Sequence, residues 1–64
     1  MKNFYVLRRN EDGESMTYYS TAYDAEKAAR DFTKNTNYTY VEYGVVNYDG
    51  WQNSCLAIIK NEVE

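Results

Sequence analysis

Residues 21–32 read TAYDAEKAARDF, and they decide the fold because the spacing of apolar residues changes there from two to about 3.6. On a helical wheel the apolar residues of this stretch occupy a sector of about 120°. They are Ala22, Ala25, Ala28, Ala29 and Phe32. Thr21, followed three residues later by Asp24, has the spacing of a capping box, with Asp in place of the usual Glu or Gln. The stretch therefore predicts a helix that begins at Thr21, ends by Asn35 and packs its apolar sector onto a sheet.

The segments on either side of this helix have the two-residue alternation of strands. The predicted strands are residues 3–9, 15–20, 38–48 and 51–60. An NEDG turn at residues 10–13 joins the first two, and an Asp-Gly signal at residues 49–50 joins the last two. A chain of 64 residues is too short for more than one core. The sequence therefore predicts a single α+β domain, residues 1–64, in the order ββαββ, with one helix on one face of an antiparallel sheet of about four strands.

The tyrosines predict what the uncovered face of that sheet does. One helix covers only one face of the sheet. With eight tyrosines, the chain has too many aromatic residues for both faces to have an ordinary composition. Alternation along the third strand puts Tyr38, Tyr40 and Glu42 on one side. The opposite side carries Val41, Tyr43 and Val45. This second side better matches a face covered by the alanine helix, with the reverse assignment as the alternative. We therefore expect Tyr38, Tyr40 and Glu42 to contact a protein partner or a second copy of the chain.

Catalysis is not expected, because the sequence contains no histidine, the usual acid or base near neutral pH. The single cysteine, Cys55, lies in an apolar strand and is interpreted as a small buried hydrophobic residue rather than a nucleophile. Glu11, Asp12 and Glu14 lack the ligand spacing of a calcium loop and are interpreted as a solvated turn. The sequence thus predicts a non-enzymatic protein with no catalytic residues, no cofactor and no metal site.

The charge of the chain bears on the kind of partner. A net charge of −3, from ten acidic and seven basic residues, disfavours binding to a phosphate backbone. The alternative interpretation is nevertheless a nucleic-acid-binding module whose sheet tyrosines stack on bases. Its candidate residues are Tyr38, Tyr40, Tyr43, Arg8, Arg9 and Lys34. A surface that imitates DNA with carboxylates would call for a more negative chain, so a protein partner is the favoured expectation.

The expected compartment is the cytoplasm. No apolar run approaches the roughly 20 residues of a membrane span, and the first ten residues lack the apolar core of a signal peptide. A single cysteine excludes an internal disulfide and fits a reducing environment. The sequence therefore predicts no membrane association.

In size and composition the small, acidic, tyrosine-rich chain resembles the compact early proteins of bacteriophages, which often bind and inhibit a host protein. That resemblance implies a small inhibitor or regulator of a larger protein. Combined with the outward aromatic face, it leads to the expectation of a non-enzymatic protein-binding module.

Overall fold

The computed structural model describes residues 1–50 and 52–61 of the chain. Its elements are β1 (Phe4–Asn10), β2 (Gly13–Tyr19), α1 (Ala22–Phe32), β3 (Tyr40–Asn47) and β4 (Gln52–Asn61). The four strands form one antiparallel sheet in the order β2-β1-β3-β4, which confirms the predicted ββαββ order and α+β class. The two hairpins therefore lie side by side, with β1 and β3 in the centre and β2 and β4 at the edges.

Local hydrogen bonds start and stop α1. The Thr21 hydroxyl oxygen accepts a hydrogen bond from the Asp24 backbone N–H at 3.1 Å, which confirms the predicted cap. At the other end the Thr33 N–H still donates to the Ala29 carbonyl, and the helix ends there with Thr33 in a right-handed conformation. The helix thus begins where the sequence predicts and ends within the predicted limit.

The core lies between α1 and the two central strands. Four side chains with no exposed surface form its centre: Val6, Ala25, Ala29 and Val41. Partly buried residues surround them, namely Phe4, Tyr19, Ala28, Phe32, Tyr38, Tyr43 and Ile59. Alanine at two facing positions lets the helix axis approach the sheet closely, and the predicted packing of Ala25, Ala29 and Phe32 is confirmed. Ala22, also in the predicted apolar sector, is exposed because it lies in the first turn, at the edge of the packed region.

The opposite side of the sheet also contains one fully buried ring. Tyr5 is only 1 % exposed although it alternates with Val6 and so points away from α1. Its cross-strand partner is Gly44, and a side chain there would have its Cβ 2.9 Å from the Tyr5 ring. The ring therefore lies over a glycine that leaves space for it. This packing determines the shape of the face described next.

Candidate functional site

Three rows of cross-strand partners cross the side of the sheet opposite α1, and we call this surface the helix-free face. The rows are Tyr18–Tyr5–Gly44–Cys55, Met16–Leu7–Glu42–Ile58 and Glu14–Arg9–Tyr40–Asn61. Side chains of the first two rows are mainly apolar or aromatic, and those of the third row are polar or charged. The sheet therefore presents an apolar surface with a polar border near the β1–β2 turn.

The carboxylate of Glu42 is the centre of hydrogen bonding on this face. The Tyr5 hydroxyl donates to Glu42 Oε2, and the Tyr40 hydroxyl donates to Oε1 at 2.5 Å. Burial, followed by the hydrogen bond to Glu42, raises the pKa of Tyr5 well above its usual range. The hydrogen bond to Glu42, followed by burial, raises the pKa of Tyr40 to about 12. Both phenols are therefore neutral donors at physiological pH, and they hold the carboxylate in a fixed orientation.

Arg9 and Glu14 form the polar border. The Arg9 guanidinium lies 4.6 Å from the centre of the Tyr40 ring, which is the geometry of a cation–π contact. Its Nε also donates to Glu14 Oε2 at 2.8 Å. The cation–π contact packs Arg9 against the Tyr40 ring, and the Arg9 guanidinium forms an ion pair with Glu14.

A concave region adjoins the first row, at the end of the face away from the β1–β2 turn. The cavity has a volume of about 490 Å³ and is lined by Met16, Tyr18, Val46, Tyr48 and Asn53. Tyr18 at its edge is 43 % exposed, and Ile58 in the neighbouring row is 52 % exposed. The helix-free face thus combines accessible large apolar side chains with a cavity wide enough for a side chain of another molecule.

Two of the three residues predicted for the site lie together on this face. Tyr40 and Glu42 are two residues apart in β3, so their side chains lie on the same side of the sheet. The Tyr40 hydroxyl donates a hydrogen bond to Glu42. The placement of Tyr38 with them was wrong, because β3 begins only at Tyr40 and the alternation does not extend back to residue 38. The Tyr38 ring instead meets Phe32 edge-on, with ring centres 5.9 Å apart, and packs against the core under α1.

The interpretation of Cys55 as a buried residue was also wrong. The thiol is free and Cys55 is exposed, because β4 is an edge strand and α1 packs mainly on β1 and β3. Its neighbour Leu56 is 53 % exposed for the same reason. Desolvation of the thiol, followed by the nearby Glu42 charge, raises the pKa of Cys55, which makes it a weaker nucleophile at neutral pH.

Sequence reasoning missed four apolar residues of the face: Leu7, Met16, Tyr18 and Ile58. The signal for the first three was present, since alternation puts Leu7 on the same side of β1 as Tyr5 and puts Met16 and Tyr18 on one side of β2. Whether these residues share a surface with Tyr40 and Glu42 depends on the pairing of β1 with β3. The sequence of neither hairpin predicts that pairing.

The residues considered for stacking on nucleic-acid bases fall on both sides of the sheet. Tyr43 packs against the core on the helix side, and the Arg8 guanidinium lies there 4.2 Å from the centre of the Phe32 ring. Arg9 and Tyr40 lie on the helix-free face. The candidate tyrosines and cations therefore do not form one continuous surface.

Metal ligands, membrane spans and similarity to known proteins would each indicate a function. Within residues 1–50 and 52–61, no three or more His, Cys, Asp or Glu side chains are grouped so that they could hold a metal ion. No helix in the same ranges has the length and apolar character needed to cross a membrane. Comparisons with protein-family models, curated proteins and solved structures found no match.

The Tyr40–Glu42 hydrogen bond predicts how stability depends on pH. A pKa raised on folding means that the folded chain holds the Tyr40 proton more tightly, so the bond stabilises the fold fully below about pH 10 and this contribution is lost as the pH rises to about 12. Tyr40→Phe is therefore expected to lower the free energy of unfolding by about 1 kcal/mol at neutral pH. The difference should shrink towards pH 12.

Urea unfolding of the wild type and of Tyr40→Phe at a series of pH values measures this difference. Tyr40→Phe keeps the ring and leaves the hydrogen bond from Tyr5 to Glu42 in place, so the difference between the two chains reports the Tyr40 hydroxyl. A difference that stays constant from neutral pH to about pH 12 would contradict the assigned hydrogen bond.

Proposed function

We propose that this chain is a non-enzymatic protein-binding module that inhibits or regulates a larger protein, as the early proteins of bacteriophages do. The observation that carries the proposal is the helix-free face on the side of the sheet that α1 leaves open, where Leu7 and Ile58 flank Glu42 and Met16 and Tyr18 continue the apolar surface on β2. Protein interfaces have this composition, with aromatic residues, Met and aliphatic side chains inside a polar border. The free thiol of Cys55 supports a reducing compartment, and we propose the cytoplasm.

The rigidity of the face also supports binding. Tyr5 is fully buried and Glu42 is held by two hydroxyl groups, so the centre of the surface is ordered before a partner arrives. Less side-chain entropy is then lost on association. A surface ordered in this way favours specific binding of one partner over non-specific binding to many proteins.

The alternative, a nucleic-acid-binding module, has less support. Single-strand binders combine stacking rings with a continuous basic groove. Here Arg9 is paired with Glu14, and Lys34 lies 3.6 Å from Asp31 on α1. The sheet therefore offers rings without the basic groove that a phosphate backbone requires.

The test compares two tyrosines on opposite sides of the molecule. Tyr18→Ala removes a ring of the helix-free face, and Tyr23→Ala removes a ring that is 72 % exposed on α1. In affinity capture from a lysate treated with nuclease, the wild type and Tyr23→Ala are expected to retain a stoichiometric protein partner. Tyr18→Ala should bind it with about 5- to 30-fold lower affinity, because truncating a tyrosine within an interface typically costs about 1 to 2 kcal/mol.

Thermal melting of both variants provides the control for folding. Tyr23→Ala is expected to change the free energy of unfolding by less than about 0.5 kcal/mol. Tyr18→Ala should cost more, because more than half of that side chain is covered, so affinities are compared for the folded fraction of each variant. Capture that disappears with nuclease would favour the nucleic-acid alternative. Equal binding of Tyr18→Ala and the wild type would show that the helix-free face is not the interface.

A further inference from the structure

Glu42 is a carboxylate set within an apolar surface, and it has no ion-pair partner among the described residues. The ion pairs among the described residues join Arg9 to Glu14, Arg30 to Glu26 and Lys34 to Asp31. Glu42 takes part in none of them. Its cross-strand neighbours in the middle row are Leu7 and Ile58, so apolar side chains flank Glu42 on both adjacent strands.

The carboxylate can still accept a further hydrogen bond. An ionised carboxylate has about four lone-pair positions on its two oxygens. The hydroxyls of Tyr5 and Tyr40 occupy one position on each oxygen, which leaves positions for a further donor. Glu42 is half-buried rather than enclosed, so a donor from another molecule can reach it.

Charge complementarity distinguishes between two kinds of occupant. If two copies of the chain packed symmetrically through this face, both Glu42 carboxylates would be desolvated in the same interface, and the cation that this face carries, Arg9, is already paired with Glu14. A partner that presents Arg or Lys would supply the missing cation, and the long alkyl stem of that side chain would pack on Leu7 and Ile58. The face therefore matches a basic partner better than a second copy.

We propose that the partner docks through an Arg or Lys side chain flanked by apolar residues, with the cation bound to Glu42 and the flanking residues on the apolar rows. This inference rests on the proposed function and specifies the chemistry of the partner at the same site. The Tyr18 side of the face, with its cavity, receives an apolar residue that neighbours the basic one.

Selection from a library of short random displayed peptides tests this chemistry. The wild-type chain is the bait, and Tyr18→Ala is the counter-selection bait, so that only peptides bound to the helix-free face are kept. The selected peptides are expected to share an Arg or Lys between apolar residues. A synthetic peptide of that sequence is then compared with its citrulline analogue, which keeps the shape of Arg and removes the charge, or with its norleucine analogue if the basic residue is Lys.

Glu42→Gln provides the matched change in the protein. Gln can still accept from one tyrosine hydroxyl and donate to the other, so the fold is kept and only the charge is lost. Glu42→Gln and the neutral peptide should each weaken binding about tenfold or more. Both changes together should weaken it hardly further than either alone, because they remove the same contact.

The possible failures are distinguishable. Peptides that lose affinity with Tyr18→Ala but contain no basic residue, and bind Glu42→Gln as well as the wild type, would overturn the inference and leave the proposed face intact. A selection without any peptide sensitive to Tyr18→Ala would count against the face itself and overturn both. A wild-type chain that dimerises in sedimentation experiments, and becomes monomeric as Tyr18→Ala, would replace the basic partner with a second copy.

Discussion

Ala25→Asp is expected to unfold the chain. Ala25 has no exposed surface and packs with Val6 and Val41 in the core. A carboxylate at this position would be buried without a cation, which costs about 3 kcal/mol or more. Chains of this size have a total stability of roughly 3 to 10 kcal/mol, so this one substitution removes much or all of it. Circular dichroism and thermal melting measure the loss.

Ala22→Asp is the matched control for this substitution. Ala22 lies one turn earlier in α1 and is exposed, so the same new charge stays in water. An acid in the first turn also interacts favourably with the helix dipole. The melting temperature of Ala22→Asp should therefore equal or slightly exceed that of the wild type. If Ala25→Asp melted at the wild-type temperature, the packing of α1 on the sheet would be refuted.

The parts of the fold that could be predicted depend on neighbouring residues in the sequence. The Thr21 cap involves residues three apart, and the Ala25–Ala29 stripe involves residues four apart. The NEDG turn pairs Asn10 directly with Gly13. In each case the residues that determine the element lie within four positions of each other in the sequence, so their spacing and type were sufficient to predict it.

The errors concern contacts between distant segments. Tyr38 was assigned to the strand because its spacing from Tyr40 fits alternation, but the chain before Tyr40 turns and brings the Tyr38 ring to Phe32. Cys55 was assigned to the core because its strand is apolar, but β4 lies at the sheet edge. Neither the start of a strand nor its position in the sheet can be derived from alternation alone.

The candidate site shows the same division. Tyr40 and Glu42, two residues apart on one strand, could be placed together from the sequence. The hydroxyl of Tyr5 reaches the same carboxylate from 37 residues away, and this contact exists only because β1 lies beside β3. The half of the site on β3 was therefore predictable, while the half on β1 and β2 depended on the order of strands.

Gly44→Ala is expected to destabilise the chain by about 3 kcal/mol or more. The added Cβ would lie 2.1 Å from the Ser54 carbonyl oxygen and 2.9 Å from the Cys55 Cα, both backbone atoms that cannot rotate away. Relief would require opening the β3–β4 ladder or displacing Tyr5. Overpacking typically costs 1 to 3 kcal/mol when side chains can adjust, and a backbone contact of this kind costs more. The reduced entropy of the unfolded chain offsets less than about 1 kcal/mol of it.

Urea unfolding of Gly44→Ala and Gly50→Ala separates this close contact from the general effect of replacing glycine. At Gly50 the nearest atoms to an added Cβ are 3.8 Å away, in the side chain of Gln52, so Gly50→Ala should change the free energy of unfolding by less than about 1 kcal/mol. Because the Gly44 contact includes the Tyr5 ring, Gly44→Ala should also disturb the hydrogen bond from Tyr5 to Glu42 and with it the centre of the helix-free face. Wild-type stability for Gly44→Ala would show that Tyr5 does not pack over this glycine, and the ordered centre of the face would then lose its structural basis.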